Sequence, residues 1–468
     1  MSAHYELRDY QKEVVDFYEA DSSSFLVHLP TGSGKSVIMK AIVDRACQKG
    51  HKVLILIRGK SLIHQFSEHL EALSVEHGII QANDPDLGKS VQVASIDTFS
   101  RRRSLQFHAD LILIDEAHFA VSPIWFEVLK KFELCRKISF TATPYRKEGL
   151  AHLATKIVRP TTYSSLVKMS FLAPPKYFAP TDINLNKVRV SKGEYVERDL
   201  LRIFNNREIY GNVIETYKKH LTGAPAICFA INIVHSQKLA KNFNEHGIKA
   251  MHVDQDTPLA ERKALICALR AREIDIICNV GVLTTGVDIP EVLGIFLVRP
   301  TLSRVLYLQM VGRGSRISPG KDHFKVVDLG GNVFRHGFIE DAPSALLEGG
   351  KEMETKIPQF KCAGCGFVTK KRMKNCLHCG FVTKVVLQQL PSPEQTNTDI
   401  KIAEVDPDQY LLFAIKEIAH KGFTRGFKEG WVYYEVKKRF GDNAAEKYFP
   451  FRHRNRVYEI YVHGAAAS

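Results

Sequence analysis

A chain of 468 residues is too long for one ordinary core, so two or three domains with small modules are expected. Its 45% hydrophobic and 25% charged content is that of a globular protein, and 65 basic against 51 acidic residues leave a formal charge of +14, which favours a polyanionic partner. No apolar run approaches the roughly 18 to 20 residues that span a bilayer, and residues 1–6 are polar, unlike a secretory signal, so an intracellular protein without a membrane partner is expected.

From about residue 24 to 145, short β-rich runs alternate with helical stretches, with strands expected at 25–28, 53–57, 91–95, 111–115 and 138–141. Such alternation implies an α/β fold with a parallel sheet and helices on both faces. The first strand runs into Leu29-Pro-Thr-Gly-Ser-Gly-Lys-Ser36. A helix starting near Ser36 would set the N–H groups of Gly32, Ser33 and Gly34 around a phosphate, with Thr31 in the same loop. Lys35 would then reach the β- and γ-phosphates of ATP, and the Ser36 hydroxyl would ligate Mg²⁺. Leu29 stands where the usual pattern has its first glycine, so a plain strand-to-helix turn is the competing reading of this run alone. The apolar run 111–114 delivers Asp115 and Glu116 to a strand end, Asp115 to hold the metal shell and Glu116 to polarise the attacking water. A solvated acidic turn is the alternative there.

Residues 160–206, with Pro174, Pro175 and Pro180 and little periodicity, read as a connector and a piece appended to a second lobe. That lobe begins near 211, with strands expected at 226–229, 250–253, 274–278, 295–298 and 325–328. Thr257-Pro258 reads as the N-cap and first-turn proline of a helix over 259–269. Gln309-Met-Val-Gly-Arg-Gly-Ser-Arg316 follows. Arg313 and Arg316, three apart on a helical turn, can face one cleft and supply positive charge beyond the γ-phosphate, with Gln309 counted in the same catalytic set. A surface arginine pair is the alternative.

Of the nine cysteines, Cys47, Cys135, Cys228, Cys267 and Cys278 read as reduced core residues. Cys362, Cys365, Cys376 and Cys379 instead form two Cys-x-x-Cys knuckles with ten residues between them, a spacing suited to a tetrahedral Zn²⁺ site, with disulfide use or iron as alternatives. His378 lies inside a knuckle as a bystander. The basic run 367–374 between the knuckles reads either as a phosphate contact or as a solvated loop. A polar linker over 385–404 leads to a helical, basic and aromatic segment over 405–468. There Lys437, Lys438 and Arg439 are candidates for nucleic-acid contact, while Trp431 and Tyr434, at i, i+3 spacing, suit a small core.

With these runs in view, residues 5–340 resemble superfamily 2 helicases of the DEAD/DEAH-box type, in particular RadD-type and phage-encoded DNA helicases. Leu7-Arg-Asp-Tyr-Gln11 is similar to that family's adenine-reading element, where Gln11 would bond the base edge with help from Arg8. Thr141-Ala-Thr-Pro144 is similar to the motif linking hydrolysis to the nucleic-acid track, which puts Thr141 and Thr143 among the nucleic-acid residues. The runs 57–65 and 95–99 resemble the first lobe's phosphate-contacting motifs, through Arg58, Gln65 and Ser95; Asp97 stands where relatives commonly have glutamine. The run 229–235 is similar to the first motif of the second lobe. The run 279–290 resembles the segment in which Thr284 and Thr285 touch the backbone and Gly286 and Asp288 approach the nucleotide. Asp328-Leu-Gly-Gly-Asn-Val-Phe-Arg-His-Gly337 is similar to the family's ending of that lobe.

The resemblance implies two tandem RecA-like lobes at 1–160 and 161–345, followed by a zinc ribbon at 358–384, the linker and a basic accessory domain. It further implies ATP- and Mg²⁺-dependent movement on, or unwinding of, DNA, whether single-stranded, duplex or branched, in preference to RNA. Repair or replication proteins are expected as partners, in the cytoplasm of a bacterial or phage-infected cell and at the nucleoid. The competing class is an ATP-switched nucleic-acid-binding regulator that does not translocate; an RNA remodeller is a third reading.

Overall fold

The computed structural model describes residues 6–72, 74–80, 87–101, 107–144, 149–179, 185–204, 207–284, 288–341, 347, 359–370, 373, 375–382 and 434–438. The chain divides into two compact units, Met1–Thr383 and Lys384–Ser468. Among the described residues no helix is long and apolar enough to cross a membrane.

Seven parallel strands form the first sheet: β1 (Phe25–His28), β2 (Val53–Ile57), β3 (Gly78–Ile80), β4 (Val91–Ser95), β5 (Leu111–Ile114), β6 (Arg136–Thr141) and β7 (Lys156–Val158), in the order β3-β4-β2-β5-β6-β1-β7. The central strands β1, β2, β4 and β5 are buried at every residue, which is why β2 and β5 read as unbroken apolar runs and β1 and β4 as mainly apolar ones. The expected strands stand with small shifts, β5 ending at Ile114. The short edge strands β3 and β7 carry too few residues for a pattern and escaped the sequence reading.

The second sheet grows from β8 (Pro175–Phe178), β11 (Ala226–Phe229), β12 (Ala250–Val253), β13 (Ile276–Asn279), β14 (Gly294–Leu297) and β15 (Phe324–Asp328), while β9 (Val190–Ser191) and β10 (Glu194–Tyr195) make a separate hairpin. Its order is β12-β13-β11-β14-β15-β8-β17-β16, with β16 (Phe360–Lys361) and β17 (Phe367–Thr369) running antiparallel. β8 comes from the proline-rich connector, so part of that segment is an integral strand. The cysteine module is likewise no free appendage: Phe367 and Val368 pair with Phe178 and Tyr177 of β8 and cover an edge that would otherwise present unpaired backbone groups. A cut near residue 345 would therefore fall inside the Met1–Thr383 unit.

Three further expectations need correction. The helix after Pro258 is Leu259–Arg270 with Pro258 itself at the cap position, because the Thr257 hydroxyl is engaged with Asp254, accepting from its N–H at 3.1 Å and donating to its Oδ1 at 3.2 Å. Cys228 and Cys278 are buried register neighbours, but Cys47 and Cys267 are exposed, since an apolar neighbour in sequence lies on another face of a helix. In the second unit residues 434–438 are helical with Val436 buried, and Tyr434 is 70% exposed, so Val436 and not Tyr434 faces the interior.

Candidate functional site

The polar residues singled out in the first lobe gather at the C-terminal ends of β1, β5 and β6, where a parallel sheet places its ligands. β1 feeds a turn in which Gly32 and Gly34 take φ of 84° and 80°, a region that a side chain disfavours. Helix α2 (Lys35–Gln48) begins directly after Gly34, one residue earlier than expected, so Lys35 and Ser36 are its first two residues. Ser33 is fully buried and its hydroxyl has no hydrogen-bond partner. An orphaned buried hydroxyl in a turn at the positive end of a helix suits a phosphate.

Helix α1 (Asp9–Ala20) packs on α2 and ties the turn down. The Tyr10 hydroxyl donates to the Ser33 carbonyl at 2.6 Å, and the Gln11 amide donates to the same oxygen at 3.2 Å. Gln11 Oε1 accepts from the Arg8 N–H at 3.0 Å, so both ends of this side chain are bonded to backbone here instead of standing open to a base. A Cβ on Gly34 would lie 2.6 Å from the Gln11 amide nitrogen, which fixes glycine at that position twice over. The Arg8 guanidinium lies 3.9 Å from the centre of the Phe171 ring. Phe171 was not legible in the sequence, since nothing in the connector marks it.

Beyond β5, Glu116 adopts a left-handed conformation (φ 48°, ψ 51°), a strain of about 1 kcal/mol or more for a residue with a side chain. The Asp115 carboxylate supports it by accepting the Glu116 N–H at 2.9 Å. Burial, then the adjacent Glu116, raises the Asp115 carboxyl above its ordinary range, with Lys35 opposing. Burial pushes Glu116 up as well, but Lys35, then His118 and Arg313, outweigh it and hold that carboxyl below its ordinary range. The pair is thus arranged so that one carboxylate is charged beside a lysine and the other would gain from a nearby cation.

His118 joins this pair to β6. Its Nδ1 lies 3.2 Å from Glu116 Oε2, 3.1 Å from Thr141 Oγ1 and 3.2 Å from Thr143 Oγ1, and the Thr143 N–H donates to Thr141 Oγ1 at 3.0 Å. Thr141 and Thr143 are fully buried, so their hydroxyls serve this internal network and do not face a polymer. Ser95 and Thr284 are also buried, the Thr284 hydroxyl donating to the Gly281 carbonyl. Of the expected nucleic-acid residues, Arg58 is exposed and lies 4.5 Å from the Phe119 ring centre, and Lys437 and Lys438 are exposed in the second unit. The Gln65 side chain, Thr285, Gly286, Trp431 and Arg439 lie outside the described residues.

The second lobe closes the cleft. Helix Arg304–Gly312 carries Gln309, which is 6% exposed and has an amide nitrogen with no hydrogen-bond partner. The helix ends at Gly312, so Arg313 is its cap and Arg316 lies beyond it; the two do not share a helical turn as expected. Arg313 still acts on Glu116, and burial, then Arg316, pulls its guanidinium down to about 10. Arg316 pairs with Asp288. Closeness to the first lobe is set by small residues: a Cβ on Gly312 would lie 2.8 Å from Thr31, and one on Gly32 would lie 3.1 Å from the Ser315 hydroxyl. The base of the helix is wired to the closing motif, for the Tyr307 hydroxyl donates to the Gly337 carbonyl at 3.0 Å and Asp328 accepts from Val333, Asn332 and Gly330 at 2.7, 3.0 and 3.0 Å.

The four cysteine sulfurs of the module lie within 4.8 Å of one another. Cys362 and Cys379 are 3.8 Å apart, Cys365 and Cys376 3.7 Å. The edge of a tetrahedron with metal–sulfur bonds of about 2.3 Å is about 3.8 Å, so the residues fit zinc. N–H groups of Gly364 and His378 point at Cys362 and Cys376 sulfurs, both at 3.4 Å. The His378 ring lies against Phe367 and Phe178 instead of joining the cluster.

Comparison with known proteins bears on the same regions. Residues 4–146 match the family described as type III restriction enzyme, res subunit, and residues 208–318 match the helicase conserved C-terminal domain. A 51.5 kDa protein of Lactococcus phage (isolate 7-9) is 29% identical over 414 residues, 87% of each chain. A Saccharomyces cerevisiae protein provisionally named as an ATP-dependent helicase, IRC3, is 29% identical over 352 residues; the match spans 69% of this chain and 51% of that one, about half its length. Among solved structures, a fragment of a provisionally assigned HsdR subunit of a type I restriction enzyme from Vibrio vulnificus YJ016 shares the fold, with a TM-score of 0.56 at 20% identity over 72% of this chain and 67% of that one.

Proposed function

We propose that this chain, which belongs to the superfamily 2 helicases and is a nucleic-acid-dependent ATPase, couples ATP hydrolysis between two RecA-like lobes to movement on DNA. The observation that carries this reading is the closeness of the two lobes at the glycine turn: a Cβ on Gly312, the residue before Arg313, would lie 2.8 Å from Thr31, and one on Gly32 would lie 3.1 Å from the Ser315 hydroxyl. Lobe closure and assembly of the hydrolytic site are then one event.

In this reading the N–H groups of the turn at Gly32–Gly34 and the Lys35 ammonium hold the phosphates, and Glu116 orients a water and accepts its proton. Arg313, with Arg316 and Gln309, offsets the negative charge that grows as the terminal phosphoryl group departs. Ser36 and Asp115 would hold Mg²⁺, which when bound neutralises charge on the β- and γ-phosphates. The network Glu116–His118–Thr141/Thr143 carries the state of the site to the loop after β6. Cys362, Cys365, Cys376 and Cys379 would hold one structural Zn²⁺. The +14 charge supports a nucleic-acid partner, and the relative from a Lactococcus phage supports a setting in a phage-infected or bacterial cell.

A strand-displacement assay run beside a triplex-displacement assay tests the reading. Activity in the second alone means translocation without unwinding; activity in neither, with DNA-stimulated hydrolysis intact, would reduce the chain to an ATP-driven switch. Hydrolysis stimulated more by RNA than by DNA would overturn the choice of DNA.

A further inference from the structure

We propose that the second lobe carries a second binding site for the nucleic-acid backbone, away from the nucleotide cleft, where Lys176, Lys219, Lys325, His220, His323 and His378 converge beside the cysteine module. The inference rests on the reading that the chain works on DNA.

Lys176 and Lys325 are register partners on the neighbouring parallel strands β8 and β15, so their side chains leave the same face of the sheet side by side. Like charges in that position repel, and neither lysine has a carboxylate to compensate it among the described contacts. The Lys325 ammonium donates instead to the His220 carbonyl at 2.9 Å, and the Lys219 ammonium to the Gly364 carbonyl of the first knuckle at 3.3 Å. Both bonds orient the cation and leave its charge unneutralised. Each lysine is partly or fully exposed to solvent. Both strand positions lie near the N-terminal ends of β8 and β15, whereas the chain leading to Gln309 and Arg313 leaves the C-terminal end of β14.

The histidines complete the patch. His378 is held by Phe367 at 5.7 Å and Phe178 at 4.9 Å between ring centres, and His220 lies against the same Phe178 at 4.4 Å. After burial, the groups that disfavour charge on His220 are Lys219, Lys325 and His378; those at His323 are Lys176, Lys325 and His378, with Asp322 opposing. The three lysines therefore share one positive neighbourhood, in which His220 and His323 are held toward their neutral forms. A second observation is independent of charge: His220 is 3% exposed, and its Nε2 has no hydrogen-bond partner. Buried ring nitrogens are seldom left so, and this one lies beneath the lysines and not on the surface they present.

The occupant is a polyanion in this account and not a single small anion, because the cations come from three separate segments, namely β8, helix Arg207–His220 and β15. Spread-out point charges on lysine suit the repeating phosphates of a strand, each contact releasing a condensed counterion.

The test uses the full-length protein with Lys176→Gln, Lys219→Gln and Lys325→Gln combined. DNA affinity is measured at several salt concentrations, with melting to check folding and hydrolysis without DNA as a control. The expected result is a log–log salt slope shallower by about two to three, at roughly 0.7 to 0.9 per lost phosphate contact, and basal hydrolysis unchanged. Should loss of the Lys325–His220 bond unfold that variant, the double Lys176→Gln and Lys219→Gln protein should show a slope shallower by about one to two. A salt slope equal to wild type in a folded variant, with wild-type hydrolysis still stimulated by DNA, would overturn the second site alone. A wild-type protein that neither binds DNA nor responds to it would sink the proposed function, and this inference with it.

Discussion

Two kinds of glycine-hinged turn in this chain have related local geometry and different surroundings. Gly32 and Gly34, at φ 84° and 80°, fold the turn between β1 and α2; Gly366 and Gly380, at φ 74° and 71°, close the two cysteine knuckles. Each knuckle is completed from within. Its glycine N–H returns to the first cysteine's carbonyl, Gly366 to Cys362 at 2.9 Å and Gly380 to Cys376 at 2.8 Å, and the sulfurs meet over a short stretch of chain. The first turn is completed from far away: Tyr10 and Gln11 bond it from the N-terminal side, Leu172 crowds Gly32 from the connector, and Gly312 and Ser315 close over it from the second lobe. A metal site can be written in local spacing, whereas a site meant to respond to lobe closure must depend on parts that can move.

The largest effect that would break this comparison is expected at Glu116. Glu116→Gln keeps the side chain's size and removes its charge, so ATP turnover should fall by roughly 10² to 10³ while nucleotide remains bound. Steady-state hydrolysis beside binding of a fluorescent nucleotide measures both; a loss under about tenfold, ~1.4 kcal/mol, would deny Glu116 the hydrolytic role.

Next in size is Cys376→Ser. With three sulfurs left, zinc content should drop from about one per chain towards none, and the melting temperature should fall, because the module covers the β8 edge. Elemental analysis and thermal melting check it. A brown protein with acid-labile sulfide would replace zinc by an iron–sulfur cluster.

A sharper contrast sets Gly312→Ala against Gly380→Ala. The first adds a methyl group 2.8 Å from Thr31 and should lower DNA-stimulated turnover about tenfold with nucleotide affinity little changed, a loss of ~1.4 kcal/mol. The second meets open space and only strains a φ of 71°, so it should reduce stability by about 1 to 2 kcal/mol and leave hydrolysis alone. Equal effects of the two on turnover would erase the distinction between a closure-dependent turn and a self-contained one.

The smallest expected effect concerns pH. Lys321, 7% exposed, donates to the Pro290 and Val292 carbonyls at 2.9 and 2.6 Å, and burial draws its ammonium down to about 7. A lysine whose folded value is depressed gives the unfolded chain more protons, so its contribution is most favourable above the unfolded value and is lost as pH falls through about 7. Melting followed from pH 7 to 10 should rise with pH in the wild type and rise less in Lys321→Met. Parallel curves would assign the lysine no such role.

Much of the first lobe was legible because its central strands are buried on both sides and therefore spelled as mainly apolar runs, which placed Asp115 and Glu116 at a strand end without reference to the rest of the chain. The edge strands β3 and β7 and the inner strand β8 were not legible: too short or too proline-rich to show a period, they exist through pairing with neighbours. The hydroxyls of Ser95, Thr141, Thr143 and Thr284 show a different limit, since a motif gives residue types and not the direction in which a side chain faces.

What the sequence determined by itself was local: the glycine turn after β1, the carboxylate pair after β5, the sulfur spacing of the knuckles and the excess of positive charge. These rest on backbone geometry and short-range order, which a few consecutive residues fix. Only the tertiary structure decided that Gly312, at the helix end before Arg313, sits against Thr31, that Phe171 lies under Arg8, that His118 joins β5 to β6, and that the cysteine module extends the second sheet. Those juxtapositions join residues far apart along the chain, and they are set by which faces the packed sheets and helices bring together, a property of the whole core and of no single segment.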